Sequence, residues 1–504
     1  MSLALQLVAS AERNPRADAV VAGDIRWDYA TLLAKVQTTA GGLRSMGVVP
    51  GGRVAVALRN RPEMLLLFWA TQWLGAWFVP VNWRLRPADI GYCVSDAEAT
   101  VFAFEPDTAN VPVSAGVASF DAVSPGGLPA GEPAGEPAVA SWDELALMLY
   151  TSGTTGRPKG VPRSHRAEWT AALAHAIQCR YVPAERTLGV MPWYHTMGMR
   201  SLLAMVALDG CLVVQPAFSG ADALDAIAAE RIGSLYLAPT LFHDLVREAR
   251  SRPVPAPRVP RLAYAGAPMT RALVEACRDV LEPEVFVNHY GSTEIYTFTI
   301  NGNQAAKPGC AGKAGIHSRI RVVSTATDAL PSDLVAAGET GQVICYLDNA
   351  EAFSGYWHRP ESDSKAIRDR WYFTGDLGHV DGDGDLWVQG RVDDMIISGG
   401  ENVFPVEIED ALSAHPLVRE VAVVGAPDER LGEKVVACVV ADEGALDAAI
   451  LDEFCLKSET LATFKRPREY HFLDQLPKTS SGKVLRHQLR DLIAGGAKAG
   501  DADG

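Results

Sequence analysis

The chain has 504 residues, 48% of them hydrophobic and 21% charged, the make-up of a folded globular protein too long for one typical core, so about two to four domains are expected. A formal net charge of −15 opposes non-specific attraction to nucleic acid or anionic lipid and argues against both as partners. Eight cysteines (93, 179, 211, 277, 310, 345, 438, 455) form no Cys-x-x-Cys pair and meet no histidine cluster at ligand spacing, which points to buried, reduced thiols and to neither a disulfide framework nor a structural zinc site.

The N-terminus, MSLALQLVASAERNPRAD, has no basic leading segment and becomes charged after a few apolar residues, unlike a secretory signal, so a cytoplasmic protein is expected. Short β-branched runs at RVAVAL (53–58), TVFAF (100–104), TLGVMP (187–192), CLVVQP (211–216) and SLYLAP (234–239) alternate with Ala/Leu-rich helical stretches, the pattern of parallel sheets covered by helices. Between the first two lies MLLLFWATQWLGAWFVPV (64–81), which has the length of a short membrane span. Thr71 and Gln72 at its centre, with Gly75 and Pro80 in its second half, favour a buried helix entering a buried strand, and no membrane span is expected.

Residues 105–140 are rich in Pro, Gly and Ala, contain AGEP twice in succession, and read as a surface linker. LYTSGTTGRPKGVP (149–162) then sets Gly, Ser and Thr before a lysine, so that unhindered N–H groups, hydroxyls and one ammonium could cradle phosphate oxygens. It is not a Walker A loop, because Pro158 precedes Lys159 and Gly160 follows it. Residues 372–396 read as a strand, an Asp/Gly turn from Asp381 to Asp385, and a returning strand; the turn lacks the ligand series of an EF-hand, so a plain hairpin is expected. A helix (PVEIEDALSAHP), two strands (VREVAVVGAP, KVVACVVA), a helix (ALDAAILDEFCLKS) and a last strand (EYHFLD) form a second α+β domain, and the tail IAGGAKAGDADG has too little apolar content to be ordered.

Four more stretches join the phosphate-type loop: NHYGSTE (288–294), YFTGD (372–376), GRVDDMIISGGENVFPVEIE (390–409) and PKTSSGKVLR (477–486). In this order, over nearly the whole chain, they resemble the adenylate-forming enzymes, which include acyl- and aryl-CoA synthetases, firefly luciferase and nonribosomal peptide synthetase adenylation domains. The pattern is most similar to the benzoate and 4-chlorobenzoate CoA ligases. The resemblance implies an α/β fold: a large N-terminal AMP-binding domain (1–392) of stacked mixed sheets covered by helices, with a small β subdomain, and a small mobile C-terminal α+β cap (393–504) hinged at Asp393. It implies an enzyme that uses ATP, Mg²⁺ and coenzyme A to join a carboxylic acid to a thiol through an acyl adenylate.

The chemistry asks for such residues. A carboxylate attacking the α-phosphorus of ATP meets accumulating negative charge, so cations and N–H donors must be placed beforehand. By the resemblance Thr151, Ser152, Gly153, Thr154, Thr155 and Lys159 hold the β- and γ-phosphates. Tyr290 stacks on adenine, Thr293 contacts phosphate and Glu294 binds Mg²⁺, with Asn288, His289 and Gly291 completing that turn, while Ala265, Gly266 and Ala267 form the other wall of the adenine slot. Asp376 accepts from the ribose hydroxyls and Arg391 makes a second ribose or phosphate contact. Lys483 bridges carboxylate and α-phosphate during adenylation. After rotation about Asp393 it gives way to Gly399 and Gly400, which line the pantetheine passage, with Arg466 and Arg468 at the phosphates of coenzyme A. This chain reads DERLGE where a family member has Trp in DQRWGQ, so Leu431 leaves the stacking on the coenzyme A adenine unsupported there.

For the acid, MPWYHTMGM (191–199) places His195 at the family position that lines and gates the acyl pocket, with Trp193, Thr196, Met197, Ile295 and Tyr296 as neighbours. Ala174 falls where the chlorobenzoate ligases have a Phe, which leaves room for an acid larger than benzoate. No basic residue falls among these positions to pair with a second carboxylate, so a bulky hydrophobic or aromatic monocarboxylate is expected. Two alternatives share the ATP-site residues: an adenylation enzyme loading a carrier-protein pantetheine, and a non-catalytic nucleotide or acyl-ligand binder. A monomer or homodimer is expected.

Overall fold

The computed structural model describes residues 2–151, 157–302, 304–441, 446–458, 461–479 and 484–500, the last six of these by their backbone alone. The β-branched runs are parallel strands, as expected. Arg53–Ala57 lies between Trp77–Pro80 and Val101–Phe104 and runs parallel to both. They belong to a six-stranded sheet whose far edge is the antiparallel hairpin of Leu145–Thr151 and Lys159–Ser164. A nine-stranded sheet holds, in spatial order, Lys313–Ala314, Thr299–Asn301, Val285–Tyr290, Arg261–Tyr264, Ser234–Leu237, Arg186–Gly189, Cys211–Val214, Asp18–Ala22 and Ile25–Asp28. Strands such as Cys211–Val214 and Ser234–Leu237 are buried along their whole length, which is why they read as unbroken apolar runs rather than as alternation.

The main core lies between these two sheets. Val54, Phe78 and Leu147 from one and Val20, Leu212 and Val214 from the other close on the helix Pro62–Trp73, every residue of which except Glu63 is buried. Pro62 opens this helix at a position where no N–H is missed, and Gly75, at φ +66°, turns the chain into the strand Trp77–Pro80. Two of its polar side chains bond within the protein: the Thr71 hydroxyl donates to the Leu67 carbonyl at 2.7 Å and the Gln72 amide to the Ala146 carbonyl at 2.9 Å. Among the described residues no helix is long and apolar enough to cross a membrane.

The segment read as a linker is built into the fold instead. Ala118–Asp121 adds a parallel edge strand to Val101–Phe104, and Gly131 and Ala134 donate backbone hydrogen bonds to Thr38 and Gln37 on the helix Tyr29–Ser45. That helix carries Gly41 and Gly42 at the contact, where a Cβ would strike the backbone of residues 129–132. Small residues on both partners permit the approach, and composition alone does not reveal it.

A five-stranded antiparallel sheet, Ile320–Val323, Gly341–Tyr346, Trp371–Val380, Ile367–Arg368 and Leu386–Arg391, forms the small β subdomain. The expected hairpin is present, and Lys307 Nζ lies 2.8, 2.8 and 2.6 Å from carboxylate oxygens of Asp381, Asp383 and Asp385. An ammonium group from another loop therefore neutralises the acidic turn.

Residues 396–493 have cores of their own. In the strand Gly432–Ala441, Val435, Ala437 and Val439 face the helices Pro405–Ser413 and Ala448–Leu456, while Val436, Cys438 and Val440 face Leu489 and Ile493 of the helix Arg486–Gly500. The tail expected to be unordered is thus helical as far as Gly500, because Leu489 and Ile493 anchor it and Ala is the best helix former. All eight cysteines are free and buried.

The nine-stranded sheet meets the small β sheet at Gly312, whose carbonyl accepts from Leu386 N at 2.7 Å. Gly312 has φ +82°, and an added Cβ would strike the Ile300 backbone. Gly312→Ala is expected to destabilise the large domain by on the order of 3 kcal/mol, read as a lower urea midpoint; an unchanged midpoint would contradict this junction.

Candidate active site

Parallel strands Arg261–Tyr264 and Val285–Tyr290 run in register, Tyr264 opposite Asn288, and the loops at 265–269 and 290–296 leave the same sheet end, the place where open α/β sheets bind ligands. In the first loop Gly266 has φ +91° and nothing within 4 Å of an added Cβ, so a flat group can approach its backbone. Ala265 and Ala267 flank it, half-buried.

The second loop is a tight turn. Ser292 Oγ accepts from the backbone N–H groups of Glu294 and Ile295 at 3.2 and 3.4 Å, and Ser292 N donates to the Ile295 carbonyl at 2.9 Å. Gly291 is required here, since a Cβ would meet the Tyr296 carbonyl. Arg163, fully buried on the strand Lys159–Ser164, holds the turn from behind. Its Nη1 donates to the carbonyls of Thr293, Glu294 and Glu351 at 3.4, 3.1 and 2.7 Å, its Nε donates to Glu168 Oε1 at 2.7 Å, and its guanidinium lies 3.9 Å from the centre of the Tyr296 ring.

Thr151 pairs with Lys159 across the hairpin; Ser152, Gly153, Thr154 and Thr155 lie outside the described residues. Lys159 Nζ stands 5.1 Å over the Tyr356 ring, and the Tyr356 hydroxyl donates to Glu294 Oε1 at 2.6 Å. Burial first, and then the Glu294 charge, push the Tyr356 phenol well above its usual range, so it remains a donor. Tyr356 thereby joins two residues marked in the sequence, although no motif quoted above contains it.

Tyr290 donates to Asp376 Oδ2 at 2.5 Å, and Arg391 Nη1 donates to Asp376 Oδ1 and the Thr374 carbonyl at 3.1 and 3.0 Å. Asp376 and Arg391 face each other across neighbouring strands. The grouping of Asn288 and His289 with Tyr290 needs correction at the level of side chains. The Asn288 amide donates to the Cys310 carbonyl at 2.9 Å, and His289 points to the opposite side of the strand, as period-2 alternation requires.

His289 enters a buried cluster of polar side chains. Its Nε2 lies 3.2 Å from His175 Nδ1 and 3.2 Å from Cys179 Sγ, while His175 Nε2 is 3.2 Å from the Tyr181 hydroxyl. Arg200 Nη1 donates to His289 Nδ1 at 3.3 Å. The guanidinium can only donate, so the His289 proton sits on Nε2 and is passed as a hydrogen bond to His175. Burial lowers both imidazole pKa values well below the usual range, and Arg200 lowers them further. His175, Cys179 and His289 have the spacing of a metal ligand set, but a protonated Nε2 is a donor and not a ligand.

His195 stands at the N-cap position of the helix Thr196–Ala207 without a side-chain capping bond, and burial pushes its pKa down to about 4, so it is neutral at pH 7. Trp193, Met197, Tyr296, Ile295 and Ala174 are all buried, and Thr196 is half-buried. Arg200, one turn beyond Thr196, donates to Tyr236 Oη and Thr297 Oγ1 at 3.3 and 3.1 Å. A buried basic residue thus lies behind the named positions, none of which is itself basic, and Glu351 Oε2 lies 3.9 Å away and balances its charge. Its i+4 spacing from Thr196 was the signal available.

In the C-terminal unit, Gly399 and Gly400 have φ +63° and +87° and form the exposed two-residue turn between Ile396–Ser398 and Glu401–Val403, a turn that demands glycine-like backbone. The Leu431 carbonyl accepts from Gly399 N at 2.8 Å. Arg466 pairs with Asp452 at 2.8 Å, and Arg468 is exposed. Asp393 is exposed in a single helical turn, Val392–Asp394, next to the Asp394–Arg490 ion pair at 2.8 Å. Lys483 lies outside the described residues.

The family profile described as AMP-binding enzyme matches residues 7–357, and that of the AMP-binding enzyme C-terminal domain matches residues 407–483. The chain belongs to the AMP-binding enzyme family. It is 33% identical over 490 residues to a feruloyl-CoA synthase from Amycolatopsis sp, covering 96% of this chain and 97% of that one. It is 34% identical over 514 residues to a 4-chlorobenzoate–CoA ligase from Arthrobacter sp, covering 99% and 97%. The o-succinylbenzoate CoA synthetase of Bacillus subtilis, solved with its acyl-adenylate intermediate, superposes with a TM-score of 0.84 at 27% identity over 96% of this chain and 98% of that one. The protein is accordingly an AMP-forming enzyme of the acid–thiol ligase class.

Glu351 also accepts from His317, at 3.1 Å, and this hydrogen bond raises the His317 pKa above its usual 6.5. The bond therefore contributes its full stability below pH 6.5 and loses it as pH rises through the folded-state value. The stability difference between wild type and His317→Gln, measured by urea unfolding, is expected to be largest below pH 6.5 and to shrink as pH rises above it. A difference independent of pH would contradict the pairing.

Proposed function

We propose that the chain is an ATP-dependent acyl-CoA synthetase that activates a bulky hydrophobic or aromatic monocarboxylic acid as its adenylate and passes the acyl group to coenzyme A. The observation that carries this reading is the convergence of Lys159, Glu294 and the Tyr290–Asp376–Arg391 group on one strand-end crevice from separate sheets. The oxygens of Glu294 and Thr293 suit Mg²⁺, a hard ion that prefers carboxylate and hydroxyl oxygen, and Mg²⁺ when bound offsets the charge of the nucleotide phosphates. The same synthetase from Bacillus subtilis has been solved with ATP and a magnesium ion, which supports this assignment.

In this reading Asp376 accepts from the ribose hydroxyls with Arg391 as its counter-charge, Tyr290 flanks adenine opposite residues 265–267, and Lys159 with the loop from Thr151 takes the leaving pyrophosphate. Lys483 delivers its ammonium between carboxylate and α-phosphate, stabilising the charge that builds up in the transition state. Adenylation then needs the C-terminal domain, 393–504, closed on the body, 1–392, and thioester formation needs it turned about Asp393. That rotation withdraws Lys483 and brings Gly399 and Gly400 beside the thiol, with Arg466 and Arg468 near the phosphates of coenzyme A.

Two variants separate the half-reactions. Lys483→Ala is expected to lower acid-dependent ATP–pyrophosphate exchange by on the order of 100-fold or more while sparing thioester formation from supplied acyl adenylate. Asp393→Pro, which fixes φ, is expected to do the reverse. Equal loss of both half-reactions in either variant would contradict domain alternation, and absence of acid-dependent exchange in the wild type with any acid would contradict the function itself.

A further inference from the structure

The acyl side holds a surplus of buried nitrogens. Gln178 Nε2, Trp193 Nε1, His195 Nε2 and Arg200 Nε are buried and have no hydrogen-bond partner within the described protein. Indole and guanidinium N–H groups can only donate, and the Gln178 assignment is fixed by its Oε1, which accepts from Ile316 N at 3.1 Å. Native proteins leave few buried donors unmet, so the three on Gln178, Trp193 and Arg200 point to acceptors that arrive with a ligand. The carboxylate oxygen nearest to Arg200 is Glu351 Oε2, at 3.9 Å and itself without a hydrogen-bond partner, too distant to satisfy it.

Arg200 stands one helical turn, roughly 6 Å along the axis, beyond Thr196, which follows His195, on the side of Thr297 and His289. We infer that the acid carries a second, neutral oxygen acceptor (a hydroxyl, ether or carbonyl) at the end remote from the reacting carboxylate, and that Arg200 donates to it. This rests on the synthetase reading. Neutrality follows from charge: Arg163 is matched by Glu168 and Arg200 by Glu351, so a further carboxylate would be a buried anion without a counter-ion. The room left at Ala174 admits bulk, and the donors decide its polarity.

The test compares matched pairs of aryl-type acids that differ only at the remote position, carrying hydroxyl or keto oxygen, hydrogen, or carboxylate, with kcat/KM read from pyrophosphate exchange by the wild-type enzyme. The oxygen-bearing acid is expected to exceed its hydrogen analogue by roughly ten- to a hundredfold, and to exceed the dicarboxylate. Whatever its effect on the rate with the hydrogen analogue, Arg200→Met should reduce the first ratio to near one. Thr297→Val, which removes only the acceptor for Arg200 Nη2, should lower it part of the way even if Arg200→Met does not fold. Equal rates for the pair in the wild type, or preference for the dicarboxylate, would overturn the inference while leaving the synthetase reading standing. Absence of exchange with every acid would overturn both.

Discussion

The candidate site is organised by one buried guanidinium. Arg163 lies on the strand that carries Lys159, in the same hairpin as the phosphate-type loop, yet its donors reach the carbonyls of Thr293, Glu294 and Glu351, and its plane covers Tyr296. One side chain therefore ties the hairpin that carries Lys159, the turn at Glu294 and the Tyr296 ring to a common frame. Burying such a charge is costly unless it is matched, and Glu168, equally buried at 2.7 Å, matches it. The fork geometry of arginine, with several donors fixed in a plane, suits a hub that must hold three carbonyls and one carboxylate together.

A second guanidinium repeats the arrangement one layer away. Arg200 lies 5.3 Å from the Tyr296 ring on which Arg163 also packs, and Glu351 links the two systems, its carbonyl bound by Arg163 and its carboxylate beside Arg200 and His317. Two buried cations and two buried anions give a neutral interior with fixed dipoles. Such a low-dielectric, preorganised setting strengthens whatever electrostatic contact a substrate makes. The difference between the two is that the bonded donors of Arg163 go mostly to backbone carbonyls, whereas those of Arg200 go to the side chains of Tyr236, His289 and Thr297.

Much of this was legible in the sequence, and the exceptions share a cause. The buried parallel strands and the helix running into a strand at 62–80 announce themselves as contiguous apolar runs. The nucleotide-side residues Lys159, Glu294, Asp376 and Arg391 sit inside short contiguous motifs, so a resemblance could mark them. Arg163, Arg200, Glu351 and Tyr356 act through partners 131, 89, 188 and 62 positions away, and nothing local distinguishes them from surface polar residues. The segment 105–140 misled for the same reason, since its order comes from two glycines on a helix nearly a hundred residues earlier. His289 misled by adjacency: a motif written as a string places neighbours together, whereas a strand sends them to opposite faces.

The claim that matters most is that Arg163 positions the reacting groups and does more than fill the core. Arg163→Lys keeps the charge beside Glu168 and removes the fork that binds the carbonyls of Thr293 and Glu294. Provided that the variant is folded by circular dichroism, its acid-dependent pyrophosphate exchange should fall by on the order of tenfold or more, with a higher Mg²⁺ concentration needed for half-maximal rate. Wild-type exchange and Mg²⁺ dependence in a folded Arg163→Lys protein would contradict the account.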